Sequence, residues 1–241
     1  DVDVDVCVID EVQMIADPDR GWAWANAIIG APAKEIIMTG STNSKDAIIA
    51  LAQYLGEELE IIEFERKNQL TVLESITKQD DVEAQTAIIA FSRKDVLRLK
   101  QNFSKDFNVS VVYGNLSPEV RREEARRFRE GETDILVATD AIAMGMNLPI
   151  KTILFSKAQK FDGFKQRNLK PSEVHQISGR AGRYGLSEEG FVGAFDNETL
   201  KIIKKNFSKP ADKITIPFKV MANLEHIKLV GNILEENSLQ E

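Results

Sequence analysis

Cysteine is nearly absent from this sequence: the 241 residues contain one, Cys7, set in the apolar run Val6-Cys7-Val8-Ile9. A single thiol excludes a disulfide framework and points to a reducing compartment. No run of about 18 apolar residues occurs, so no segment reads as a membrane-spanning helix and no membrane partner is expected. The N-terminus has no basic stretch followed by an apolar one, as a targeting segment would. It opens at Asp1 directly into a strand-like pattern, which reads as the interior of a longer protein. Internal repeats and low-complexity tracts are also missing. What is present is ample core material, with 43% hydrophobic residues, in a chain long enough for two compact units.

The net charge of -7 argues at first against a nucleic-acid partner. Its distribution reverses that argument. Residues 1–65 hold 14 acidic and 3 basic side chains, whereas residues 151–183 hold 8 basic and 2 acidic ones. Residues 93–130 are also basic, with 10 basic and 6 acidic side chains. Such asymmetry is informative where a whole-chain sum is not, although any single run could be a solvated helix face.

Strand and helix patterns alternate along the chain. Val6–Ile9 and Glu35–Thr39 read as buried parallel strands, and Ser44 reads as the cap of a helix carrying Ile48, Leu51, Ala52 and Leu55 on one face. Leu59–Phe64 is another strand candidate, and the patternless stretch Glu65–Thr71 reads as an interdomain linker. A second series follows, with strands at Thr86–Phe91, Val109–Tyr113, Ile135–Thr139, Thr152–Phe155 and Phe191–Phe195. Helices start at Ser92, at Ser117-Pro118 and at Pro171-Ser172, the last expected to carry Arg180 and Arg183 on one face. Strands alternating with helices predict βαβ units and parallel sheets, whose ligands sit beyond the C-terminal strand ends.

Three clusters could carry chemistry. Asp10-Glu11-Val12-Gln13 closes an apolar strand, and paired carboxylates there could hold a hydrated Mg²⁺ and orient a water, or be no more than a solvated strand end. His175 to Arg183 places arginines three apart with glycines between them, a way to aim two guanidinium groups at one triphosphate or else a basic surface turn. Gln176, one turn before Arg180, could orient water or phosphate. Ala138-Thr139-Asp140, followed by a turn at Gly145, delivers a hydroxyl and free N–H groups suited to phosphate. Met144 and Met146 read as packing.

Taken in order, Asp10-Glu11-Val12-Gln13, Thr39-Gly40-Ser41-Thr42, Phe91-Ser92-Arg93, Ala138-Thr139-Asp140 through Gly145, and Gln176 through Arg183 resemble motifs II to VI of superfamily-two helicases. Val8 to Ile15, Asp17-Pro18, Arg20-Gly21-Trp22-Ala23-Trp24 and Ala138 to Leu148 are similar to the RNA helicase of the mitochondrial degradosome and its bacterial relatives. The likeness covers roughly Asp5 to Phe195.

The resemblance implies an α/β fold of two RecA-like lobes with mostly parallel sheets, the first lobe incomplete. The expected divisions are residues 1–65, 66–207 and a C-terminal helical extension beginning at 208–241. It implies ATP and Mg²⁺ as cofactors, RNA as partner (single strand or duplex with an overhang), 3′-to-5′ translocation with unwinding, and an exoribonuclease partner in RNA turnover. Asp10 would hold Mg²⁺ through water and Glu11 would activate the attacking water. Gln176, Arg180 and Arg183 would meet the triphosphate, and Gly145 would lie near the nucleotide. Thr139 would touch the nucleic-acid backbone, and Gln13, Thr39 and Ser41 would couple the lobes. The location would be cytoplasmic in a bacterium or otherwise the mitochondrial matrix. One motif is missing: no G-x-x-x-x-G-K-[ST] segment occurs, so these 241 residues alone are expected not to turn over ATP. A DNA helicase of the same superfamily and a nonenzymatic scaffold with this fold are the competing readings.

Overall fold

The computed structural model describes residues 4–66, 68–143, 146–182, 189–222 and 224–234. They form two compact units, Asp1–Ile62 with Asp212–Glu241, and Glu63–Ala211.

In the first unit, β1 (Val4–Ile9) is followed by a 3-10 turn at Val12–Ala16 and by α1 (Gly21–Gly30). Then come β2 (Ala33–Met38), parallel to β1 with Ile9 beside Met38, and α2 (Lys45–Leu55). Ile9, Val12, Ile15, Ala25, Ile28, Ala47, Ile48 and Leu51 form the core, all on one face of the two strands. The other face is open: Val4, Val6 and Val8 are 42%, 46% and 64% exposed. This differs from the expected fully buried strand, because the described helices cover one face of the pair only, and parallel strands are buried on both faces only when both are covered.

The chain returns to this unit as an extended strap at 212–222. Ile214 enters the core, Ile214 N–H donates to Asn43 O at 3.0 Å, and Asn43 Nδ2 donates to Asp212 O at 2.9 Å. Helix resumes only at Leu224–Leu234.

Two expectations fail in the intervening stretch. Leu59–Phe64 forms no strand: no described strand offers it a ladder, and Ile62 and Phe64 are exposed. The expected linker Glu65–Thr71, in contrast, ends inside β3 (Leu70–Val72), which pairs in parallel at the edge of the second unit's sheet. Three residues are too few to show a period of two.

The second unit adds β4 (Thr86–Ile89), α3 (Arg93–Phe103), β5 (Val109–Val112), α4 (Pro118–Arg129), β6 (Ile135–Ala138) and β7 (Thr152–Phe155). A small antiparallel hairpin, β8 (Gln159–Phe161) and β9 (Gln166–Asn168), precedes α5 (Pro171–Ser178), β10 (Gly190–Ala194) and α6 (Asn197–Phe207). The six-stranded sheet runs β3-β10-β7-β4-β6-β5 and every pairing is parallel. Both faces are covered. Helices α4, α5 and α6 contribute Phe128, Val174, Ile177, Leu200 and Ile203 to one side, and α3 packs Val96 and Phe103 on the other. This explains why the central strands read as unbroken apolar runs.

Helix starts follow the predicted chemistry at two sites. Ser92 Oγ accepts from Asp95 N–H and Ser117 Oγ from Val120 N–H, with Pro118 in the first turn. Ser44 departs from it: its hydroxyl donates to Ser41 O at 2.7 Å and caps nothing.

Candidate functional site

The first unit gathers its motif residues where β1 and β2 end. Glu11 adopts φ 55°, ψ 47°, a left-handed conformation that costs a side-chain-bearing residue roughly 1–2 kcal/mol. That turn brings Glu11 N–H to Asp10 Oδ1 at 2.9 Å, and the Thr39 hydroxyl donates to the same oxygen. Val12 N–H donates to Thr39 O at 2.9 Å and Thr39 N–H to Ile9 O at 3.0 Å, so the strand ends are laced together by backbone as well. Gln13 spans both segments: its Nε2 donates to Glu11 Oε2, and its Oε1 accepts from Ser41 N–H at 3.1 Å. Gly40 lies between them because a Cβ there would meet Val12 Cγ2 at 2.6 Å and Gln13 Oε1 at 2.8 Å.

Thr39, Ser41 and Gln13, expected as coupling residues, therefore hold the two carboxylates within their own unit. Asp10 is exposed, and its Oδ2 accepts no hydrogen bond from the described residues. No cluster of three or more potential metal ligands occurs among the described residues. A lone open carboxylate oxygen still suits Mg²⁺, which takes one or two carboxylates and keeps its waters.

The second unit spreads its candidates over opposite edges of the sheet. Thr139 follows β6 at the C-terminal edge, with its N–H on Val112 O at 2.9 Å. Arg180 lies at the other edge. α5 ends at Ser178, and Ala181 bridges Ile150, just before β7 begins. Arg180 is thus in a turn and not on the helix, correcting the expectation of two arginines on one helical face. Gly179 and Gly182 break the helix, and Gly182 takes φ 59°. Gln176 is half-buried on α5 and Arg180 is 6% exposed. Arg183, Gly145 and Met144 lie outside the described residues.

Sequence reading missed the ion-pair lattice that ties the residue after Thr139 to the first turn of α5. Glu173, in the first turn of α5, binds Arg167 of β9 through two contacts at 2.8 and 2.9 Å, and accepts from Lys170 N–H at 2.8 Å. Lys160 of β8 pairs with Glu173 at 3.2 Å and with Asp140, the residue after Thr139, at 2.6 Å. Burial alone would lift the Glu173 carboxyl, but Arg167, the Lys170 N–H and Lys160 outweigh it and hold the pKa at about 2. Burial likewise opposes the Lys160 charge, and the Asp140 and Glu173 carboxylates reverse this and raise its pKa. Beyond that lattice, the hairpin exposes Phe161 (56%) and Phe164 (94%) beside Lys165. A polar three-residue strand carries no periodic signal; only Pro171 and Glu173, as helix start and third-position acid, could have been read.

The basic α4 is less available than its charge suggests. Arg126 pairs with Glu123, Glu130 and Glu132, and Arg127 with Glu124 at 3.2 Å. Arg121 donates to Gly114 O and Arg129 to Asn147 O.

The sheet and the placement of these clusters define a RecA-like helicase fold. Solved structures share it: yeast Dbp5 bound to RNA and ADP BeF3 aligns with a TM-score of 0.59 at 17% identity, over 96% of this chain and 63% of that one. Mycobacterium smegmatis helicase Lhr bound to ssDNA and AMP-PNP aligns at 0.60 and 15%, over 86% and 32%. The chain belongs to the helicase conserved C-terminal domain family, which matches residues 59–185, and its residues 1–64 match the DEXQ-box helicase domain of Suv3. It is 42% identical over 217 residues to the mitochondrial ATP-dependent RNA helicase SUV3 of Candida albicans, covering 88% of this chain and 30% of that protein. It is 35% identical to human mitochondrial ATP-dependent RNA helicase SUPV3L1, covering 87% and 28%. The chain thus spans about 30% of the length of the curated relatives it matches.

Proposed function

We propose that this chain supplies motor elements of an ATP-dependent RNA helicase that couples ATP hydrolysis to 3′-to-5′ translocation and duplex unwinding in RNA turnover. The observation that carries the reading is the laced cluster of Asp10, Glu11, Gln13, Thr39 and Ser41. A scaffold has no use for a left-handed glutamate beside an exposed carboxylate of which a neighbouring hydroxyl holds one oxygen and leaves the other open, whereas active sites retain such strain.

In this reading Asp10 holds the hydrated Mg²⁺ of the nucleotide, which supplies neutralisation of phosphate charge. Glu11 accepts the proton of the attacking water, and Gln13 fixes the carboxylate's orientation through Nε2. Gln176, Arg180 and Arg183 meet the triphosphate, the arginines at the charge developing on the transferring phosphoryl group, and Gly145 lies near the nucleotide. Thr139 contacts the nucleic-acid backbone, and Gln13, Thr39 and Ser41 transmit the state of the carboxylates onward. The relatives' names favour RNA over DNA, and a mitochondrial location over a bacterial cytoplasm, which is consistent with the matrix. An exoribonuclease is the natural partner for unwound RNA.

The test is RNA-stimulated ATP hydrolysis and unwinding by the full-length protein, wild type against Glu11→Gln. Wild-type turnover with RNA, lost in the variant, supports the reading. Absence of turnover in the wild type would establish the scaffold, and stimulation by DNA alone would establish a DNA helicase.

A further inference from the structure

We infer that Arg66 is a positioning residue for Arg180. This rests on the reading of Arg180 as a triphosphate contact and extends it to a residue outside every helicase motif discussed above. Arg66 lies in the segment with which the second unit begins, a stretch whose sequence shows no pattern. Its guanidinium spreads over the loop that follows α5. Nη1 donates to Gly179 O at 3.2 Å, and Nη2 donates to Ala181 O and to Gly182 O, the latter at 3.1 Å. Nε donates to Asn68 O at 2.8 Å, which holds the fork in plane, and Asn68 Nδ2 adds a contact to Gly182 O at 3.2 Å.

The arrangement is specific in two respects. Helix C-termini leave carbonyls without intrahelical partners and carry partial negative charge, so a cation there is favourable. More pointedly, the carbonyls held belong to the residue before Arg180 and to the residue after it. Gly179 O lies in the peptide plane that enters Arg180, and the plane that leaves it is held by the Ala181 N–H, which donates to Ser178 O at 3.0 Å, while Ala181 O anchors the plane after that. Fixing the planes that flank Arg180 and the one beyond fixes the direction of its Cα–Cβ bond. On the far side, Gly182 abuts the backbone of Gly190, and its N–H donates to Ile150 O at 2.9 Å. The loop is therefore gripped between the Ile150 and Gly190 backbone on one side and Arg66 on the other. A planar fork can bridge three carbonyls at once; the compact ammonium of lysine cannot.

The experiment is ATP hydrolysis by the full-length protein, under single-turnover and steady-state conditions with saturating RNA, for Arg66→Ala, Arg66→Lys, Arg180→Ala and the Arg66→Ala/Arg180→Ala pair. Loss of aim by about 1 Å lowers kcat on the order of 100-fold. That fall is expected in Arg66→Ala, with the KM for ATP changing far less. Arg66→Lys should lose nearly as much, because the charge remains and the fork does not. If Arg66 acts through Arg180, its removal costs nothing further once Arg180 is gone. Wild-type kcat in Arg66→Lys, or an undiminished additional loss in the double variant, overturns the proposal. A normal rate in Arg66→Ala with a crippled Arg180→Ala also overturns it and leaves the reading of Arg180 intact. A normal rate in Arg180→Ala removes that reading and the proposal with it. Should Arg66→Ala fail to fold, Arg66→Lys decides alone, since it retains the stem and the charge at the helix end.

Discussion

Glu173 and Arg167 join the first turn of α5 to the β8–β9 hairpin through a two-point ion pair, Nη1 to Oε2 at 2.8 Å and Nη2 to Oε1 at 2.9 Å. Because the Glu173 carboxyl is held at about 2, below its ordinary 4.5, the pair contributes stability at neutral pH that is lost as pH falls from about 4.5 toward 2. Glu173→Gln should cost on the order of 1–2 kcal/mol at pH 7, a figure discounted for partial exposure. The gap between wild type and variant should close on acidification. Denaturant melts at pH 7, 4.5 and 3 measure it; a gap constant across that range would dismiss the pair as a stabilising element.

Gly182 should tolerate no side chain. At φ 59° an L residue is strained, and a Cβ would stand 2.6 Å from Gly190 N and 2.7 Å from Gly190 Cα, backbone atoms that cannot swing aside. Gly182→Ala should destabilise the second unit by about 2–3 kcal/mol, combining strain and overpacking. A chemical denaturation midpoint within error of wild type would show that the loop relaxes freely.

The hairpin tip is predicted to stack on unpaired bases. Phe161 and Phe164 are exposed at 56% and 94%, next to Lys165, and base–aromatic stacking contributes roughly 1–3 kcal/mol per base. Replacing both with alanine should weaken single-stranded RNA binding at least tenfold by fluorescence titration. Arg126→Ala should change it little, since that guanidinium is occupied by three glutamates. Equal affinities for wild type and the double-alanine variant would leave the tip without a role in RNA binding.

Much of this architecture is legible in the sequence where burial on both faces writes unbroken apolar runs, as in Ile135–Ala138 and Thr152–Phe155. It is legible again where a cap advertises a helix, as Ser117-Pro118 does. Legibility ends where structure is made by partners remote in sequence. Leu70–Val72 is a strand only because Gly190–Val192 lies beside it, and Leu59–Phe64, with four apolar residues in six, is none for want of a neighbour. The same limit governs the site. Asp10 and Glu11 are visible as a pair of acids, but their junction with Thr39 and Ser41 depends on the β1–β2 pairing. The position of Arg180 depends on Ala181 bridging Ile150, which helical spacing alone obscures.

The last prediction separates a hydroxyl that tunes a carboxylate from one that merely fills space. Thr39 donates to Asp10 Oδ1 while its backbone N–H and C=O already bind Ile9 and Val12. Its place in the fold is therefore secured without the side chain, and the hydroxyl is left to orient the exposed Asp10 carboxylate through Oδ1, with Oδ2 accepting from none of the described residues. Groups that orient a metal-holding carboxylate typically matter 10–100-fold in metal affinity or activity. Thr39→Val keeps the shape and removes the donor; Thr39→Ser keeps the donor and removes a methyl. In the full-length protein, Thr39→Val should lower kcat for ATP about tenfold or more and shift half-maximal Mg²⁺ upward, while Thr39→Ser should stay near wild type. The two observables together are decisive, because a packing defect would lower the amount of folded enzyme without moving its Mg²⁺ dependence. An unchanged Mg²⁺ titration in Thr39→Val, or equal losses in the valine and serine variants, would show that the hydroxyl does not position Asp10.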